Sequence, residues 1–279
     1  MSGQSDTRRA LETMLDLDFV QLSDDGRLRT NNEDYLGYFQ PATPDEGRSH
    51  GWFFVLADGV GGHDQGEVAS RAAVENVLAA FPAGPAEEPL AAMLVRLVRS
   101  ANQHVYEIAR RARPGGSNMA TTLVACALRY NRAVVAHAGD SRCYLVREGR
   151  ATQLTRDHTV AQDRERLKLR SSRETSNAAK RNVLIRSLGI DLFLNVDTSE
   201  HQVLPGDVLL LCCDGLHHSV SEADIAAVAG NGTDLNSAAR QLVALANQRD
   251  GSDNISVQLI RVRSVERVGI YRGRPYKLR

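Results

Sequence analysis

Three aspartates stand where apolar runs stop or start. Asp58 closes Trp52-Phe53-Phe54-Val55-Leu56-Ala57 and is followed by Gly59. Asp214 closes Val208-Leu209-Leu210-Leu211-Cys212-Cys213 and is followed by Gly215. Asp253 sits ahead of Asn254 and the run that starts at Ile255. A carboxylate at the end of a buried strand is costly unless it is paired. Several that converged would repel one another until a cation neutralised them. Oxygen-only ligands select hard divalent ions such as Mg²⁺ or Mn²⁺. Glycine after the aspartate lets the chain turn sharply and lets a ligand approach. The plainer reading of any single Asp-Gly is a turn, and the three aspartates alone leave both readings open. Three further polar clusters add weight to the metal reading. They are Arg29 with Asn31-Asn32-Glu33-Asp34, Gly139-Asp140-Ser141-Arg142 in an expected hairpin, and Thr155-Arg156-Asp157-His158.

Short apolar runs rich in Val, Leu or Thr predict strands over 52–57, 121–128, 133–138, 142–147, 208–213 and 255–262. Helical spacing predicts helices over 65–80, 89–111, 221–229 and 235–248. The third of these opens at a capping box, Ser221 with Asp224. Strands come in groups, without the strict alternation of a doubly wound sheet. The expectation is an α+β layered domain with mostly antiparallel sheets and helices on its outer faces. Residues 156–182 are dense in charge and read as a surface excursion with a short helix. Residues 1–16 read as an extension, 17–263 as the domain and 264–279 as a basic tail.

The 279 residues carry 34 Lys+Arg and 34 Asp+Glu, a net charge of zero. That balance gives no support to a nucleic-acid or membrane-surface binder. The longest apolar runs are too short to span a bilayer. The first residues are polar and lack the apolar core of a signal peptide, so a cytoplasmic location is expected. Cys126, Cys143, Cys212 and Cys213 lie in apolar runs and read as buried free thiols. Cys212 and Cys213 are expected on opposite faces of one strand.

Eight stretches, taken together and in order, resemble the metal-dependent protein phosphatases of type 2C in their bacterial form. They are Arg29–Asp34, Asp58-Gly59-Val60-Gly61-Gly62-His63, Met119-Ala120-Thr121-Thr122-Leu123, Ala138–Arg142, Leu154–His158, Leu184–Gly189, Leu211–Leu216 and Ser252–Ser256. The resemblance implies a four-layer αββα sandwich, two packed antiparallel sheets flanked by helix pairs. It implies that Asp58 bridges two Mn²⁺ or Mg²⁺ ions, with the Gly59 carbonyl on the second and Asp214 and Asp253 completing the first. It gives Glu33, Asp34 and Asn254 supporting roles around the metal waters, and Arg29 the substrate phosphate. The implied reaction is hydrolysis of phosphoserine and phosphothreonine in proteins by a water activated between the two ions. Expected partners are phosphorylated proteins, a Ser/Thr kinase and its targets, with no nucleic acid; a monomer is expected. Residues 156–182 correspond to the family's variable flap.

Some positions depart from the family. Val60 stands where some members carry a histidine that protonates the leaving group, and His63 is read as a loop support. The two aspartates that help hold a third metal in bacterial relatives are replaced by Ser117 and His218, so a third site is expected to be weak or absent. His217 and His218 otherwise read as surface or loop histidines, and His158 and His137 as structural ones. A dinucleotide loop at Asp58–Gly62 fails because G-x-G-x-x-G needs glycine where Asp64 stands. The remaining alternative is a non-catalytic relative that binds phosphoproteins. Its mark would be a lost primary ligand, and Asp58, Asp214, Asp253 and Arg29 are all present.

Overall fold

The structure, a computed structural model, describes residues 15–60, 65–85, 88–112, 119–166, 183–230, 232, 234–266, 268–271 and 274–277. One five-stranded sheet runs β1 (Asp16–Asp24), β10 (Ile255–Ser264), β9 (Val208–Cys212), β6 (Arg142–Arg147), β7 (Arg150–Gln153). The other runs β2 (Asp34–Phe39), β3 (Trp52–Asp58), β4 (Leu123–Arg129), β5 (Arg132–Ala138), β8 (Asp197–Gln202). Every pairing is antiparallel.

Three apolar layers hold the sheets in place. Between them lie Phe54 and Leu56 of β3, Val124 and Cys126 of β4, and Leu209, Leu211 and Ile260 from the first sheet. The alternate residues of β3, Phe53 and Val55, face the helices α2 (Gly66–Ala80) and α3 (Leu90–Ala112). Leu210 and Cys212 of β9 face α6 (Glu222–Ala229) and α7 (Leu235–Arg249). Cys212 and Cys213 therefore point into different layers, and all four cysteines are buried and free. Burial on both faces explains why the central strands read as unbroken apolar runs. The expected four layers are present.

Two details depart from the expectations. Gly139–Ser141 is not a hairpin, because β5 and β6 belong to different sheets and the chain crosses between them there. The segment read as a basic tail, 264–279, holds strands among its described residues: β10 runs to Ser264, and β11 (Val268–Tyr271) pairs with β12 (Arg274–Lys277). The short helices α1 (Pro44–Ser49), α4 (Val160–Arg166) and α5 (Asp214–His217) complete the described elements. Of the charged excursion, 167–182 lie outside the described residues, as do His63, Ser117 and 1–14. No helix among the described residues is long and apolar enough to cross a membrane.

His137 and His158 stack 4.7 Å apart at the edge of the second sheet. The Gly139 N–H donates to His158 Nδ1 at 3.1 Å, so a neutral ring carries its proton on Nε2, which faces Asp197 Oδ2 at 3.1 Å. Burial pushes His158 down to about 4, against the raising effect of Asp197. The unfolded chain therefore binds more protons than the native one between pH ~6.5 and ~4, and this residue's contribution is lost as pH falls through that window. The wild type should lose stability relative to His158→Gln over that range, by up to about 3 kcal/mol, in urea titrations at stepped pH. Parallel curves for the two proteins would contradict it.

Candidate active site

Asp58 is the last residue of β3, and its partner across the ladder is Asp34. Like charges directly opposite on a sheet are destabilising, so the backbone around Asp58 must be held firmly. Its N–H donates to Thr122 Oγ1 at 3.2 Å. Its carbonyl accepts from Thr121 Oγ1 and from the Thr122 N–H, each at 2.8 Å. Thr122 Oγ1 also meets Ser141 Oγ at 2.7 Å, at the crossover between sheets. The threonine pair of the 119–123 motif thus braces the aspartate. Gly59 donates to the Glu33 carbonyl at 3.0 Å, and a Cβ there would stand 2.5 Å from Gly66 C and 2.8 Å from that carbonyl oxygen.

Asp214 opens α5 at the end of β9, from the other sheet. Asp253 lies just before β10. Asn254, buried, latches this side to the 25–33 loop. Its Nδ2 donates to the Asp25 and Asn31 carbonyls at 3.1 and 3.0 Å, and its Oδ1 accepts from the Glu33 N–H at 2.8 Å. Its own N–H donates to Asp253 Oδ1 at 2.9 Å. Gly215 packs against the same residue, and a Cβ there would fall 2.0 Å from the Asn254 carbonyl oxygen. Arg29 Nη2 donates to Asp253 Oδ2 at 2.9 Å.

These elements bring Arg29, Asp58, Gly59, Asp214 and Asp253 to one cavity of about 920 Å³. Glu33, Asp34 and Asn254 stand behind it. A further carboxylate, Asp140, joins the lining. Its motif is visible in the sequence, but the hairpin reading gave it no reason to face the other aspartates. His217 is also corrected: it is buried, and its Nε2 meets the Asp140 carbonyl at 3.0 Å. Leu216, the residue before it in α5, is buried in the apolar core. His218 stays partly exposed, with Nδ1 3.6 Å from Asp214 Oδ2.

The electrostatics are those of a site short of positive charge. Burial, then Asp34, Asp214, Asp140 and Asp253, hold the Asp58 carboxyl well above its usual range. Burial pushes Asp34 up to about 7, against the lowering effect of Ser256 and Cys213 beside it. Burial and Asp214 push Asp140 up to about 7. Burial raises Asp214, with Asp253 adding to it and His218 opposing. The hydrogen bond to Asp253 raises Arg29. Carboxylates so placed are stable as anions only beside a cation, and an all-oxygen donor set suits hard divalent ions. The residues present therefore fit a divalent metal centre.

Comparisons with known proteins bear on the family and the fold. The family model for protein phosphatase 2C matches residues 20–255. A serine/threonine phosphatase stp of Listeria innocua is 33% identical over 241 residues, covering 85% of this chain and 93% of that protein. The serine/threonine phosphatase of S. agalactiae superposes with a TM-score of 0.78 at 29% identity, covering 88% of this chain and all of that one. The catalytic domain of the phosphatase PstP, solved with two manganese ions, gives 0.74 at 31% identity, covering 90% of this chain and all of that one. Fold, site and relatives define a protein serine/threonine phosphatase. The chain belongs to the protein phosphatase 2C family.

The tight fit at Gly215 makes a direct test of the site's construction. Gly215→Ala should lower both stability and activity, because the new Cβ displaces the Asn254 carbonyl beside Asp253. Overpacking of this kind costs about 1–3 kcal/mol. An unchanged thermal midpoint with full activity would show that the latch does not hold the site.

Proposed function

We propose that the chain removes phosphate from serine and threonine side chains of proteins, with Asp58, Gly59, Asp214 and Asp253 holding two Mn²⁺ or Mg²⁺ ions. The observation that carries this is the convergence of three strand-end aspartates and Arg29 on one cavity. Divalent ions held there would neutralise phosphate oxygens and lower the pKa of a bound water, supplying a hydroxide-like nucleophile. The protein's own part is placement. Arg29 offers a planar guanidinium that matches two phosphate oxygens at once, which lysine cannot do. Swinging from Asp253 to the phosphate leaves that carboxylate free for metal. Glu33, Asp34 and Asn254 orient water and the loop behind the aspartates. The leaving oxygen takes its proton from water, since Val60 offers no acid. With Ser117 and His218 in place of carboxylates, a third ion binds weakly or not at all. The non-catalytic alternative is not favoured, since no primary ligand is replaced. A Ser/Thr kinase and its targets as partners, a monomeric state and a cytoplasmic location complete the reading.

Mn²⁺ should support hydrolysis of p-nitrophenyl phosphate and of a phosphothreonine peptide, and Asp58→Asn should lower kcat by about 10³-fold or more. Arg29→Lys should raise KM about tenfold with metal binding intact. Mn²⁺ should also raise the thermal midpoint of the wild type but not of Asp58→Asn, a readout independent of turnover. Calorimetric titration should count two ions; three tight ions would overturn the assignment of Ser117 and His218. No hydrolysis of either substrate would favour a binding module.

A further inference from the structure

The cavity is lined by residues of two chemical kinds. Its lining includes Arg29 and the aspartates, and also the segment 183–195, which brings Val183, Ile185, Ile190 and Phe193 alongside the polar Arg186, Ser187 and Asp191. Nine large hydrophobic side chains are exposed among the described residues, and five of them fall between 183 and 193: these four apolar residues and Leu192. Phe193 is 89% exposed. Scattered apolar residues on a surface need no explanation, but a contiguous cluster beside a polar site marks an interaction surface.

This ledge is firmly built. Leu188 is buried and bonds Thr121 in both directions, at 3.1 and 2.8 Å. Asn102 of α3, only 1% exposed, holds the turn beyond it: its Oδ1 accepts from the Gly189 N–H at 2.9 Å, and its Nδ2 donates to the Asp191 and Leu192 carbonyls at 2.8 and 3.1 Å. Thr121 is the same residue that braces Asp58, so the ledge and the metal centre share one support. Phe193 follows directly on this anchored backbone, and aromatic side chains are favoured as anchor residues of interfaces.

We propose that this ledge docks an apolar side chain next to the phosphorylated residue, making the enzyme selective for phosphopeptides with a large aliphatic or aromatic neighbour. This rests on the phosphatase reading above. The occupant follows from continuity: a phosphoryl group at Arg29 and Asp58 leaves the flanking substrate residues at the rim of the same cavity. Binding energy from such a remote contact is available to the reacting centre.

Two phosphothreonine peptides test it, one with Leu or Phe flanking the phosphoresidue and one with Ser at the same positions. The wild-type chain with Mn²⁺ should favour the apolar peptide about tenfold in kcat/KM, within what one apolar contact supplies. Phe193→Ser should bring the ratio to about two or below, and Phe193→Leu should restore most of it. Equal rates on the two peptides in the wild type would overturn the inference. So would a preference that survives Phe193→Ser but vanishes when 167–182 is replaced by a Gly-Ser linker, which assigns selectivity to that segment. A concentration-dependent dimer abolished by Phe193→Ser would likewise overturn it, since a second copy would then cover the ledge. Turnover of p-nitrophenyl phosphate without peptide preference defeats this inference alone, whereas no turnover of any substrate defeats the phosphatase reading with it.

Discussion

The governing constraint is the mutual repulsion of carboxylates held where water is scarce. Two unit charges 4 Å apart interact by about 4 kcal/mol at an effective dielectric of 20, and here several aspartates share one pocket. No local segment would gather them. Asp34 begins and Asp58 ends a strand of one sheet, while Asp214 and Asp253 flank strand ends of the other. Their meeting is a product of sheet-on-sheet packing. The apolar layer of Phe54, Leu56, Leu209, Leu211 and Ile260 forces the strand ends together, and the gain from burying it opposes the repulsion at the rim.

The same logic explains the polar latches. Asn254 and Asn102 are buried amides whose bonds go to loop backbone, each tying a distant segment to an edge of the cavity. Breaking such a group's bonds while leaving it buried is expensive, so these loops are held as firmly as strands. Thr121 and Thr122 do the same for Asp58.

Much of this was legible in the sequence, for identifiable reasons. The strands buried on both faces, such as β3 and β9, announce themselves as apolar runs. The helices of the outer layers show their period, and α6 shows its capping box. β1, β2 and β8 did not stand out, because they lie toward the sheet edges and carry polar residues on their exposed sides; β8 reads Asp-Thr-Ser-Glu-His-Gln. The aspartates that end apolar runs were visible as candidates. Asp140 was not, because its place depends on a crossing between sheets that a short Gly-Asp-Ser link conceals. The ledge at 183–193 also escaped notice: its residues look like ordinary core until the fold leaves them facing out.

The long ladder between β1 and β10, from Asp16 opposite Ser264 to Asp24 opposite Ile255, joins segments more than 200 residues apart. During synthesis β1 leaves the ribosome well before its partner exists. At 5–20 residues per second it waits roughly ten to fifty seconds. Throughout that interval its backbone is an unmatched edge, open to strand pairing with other chains. Asp253, two residues before β10, arrives at the end of the same wait. Nascent fragments therefore carry that open edge before the last aspartate of the site has been made.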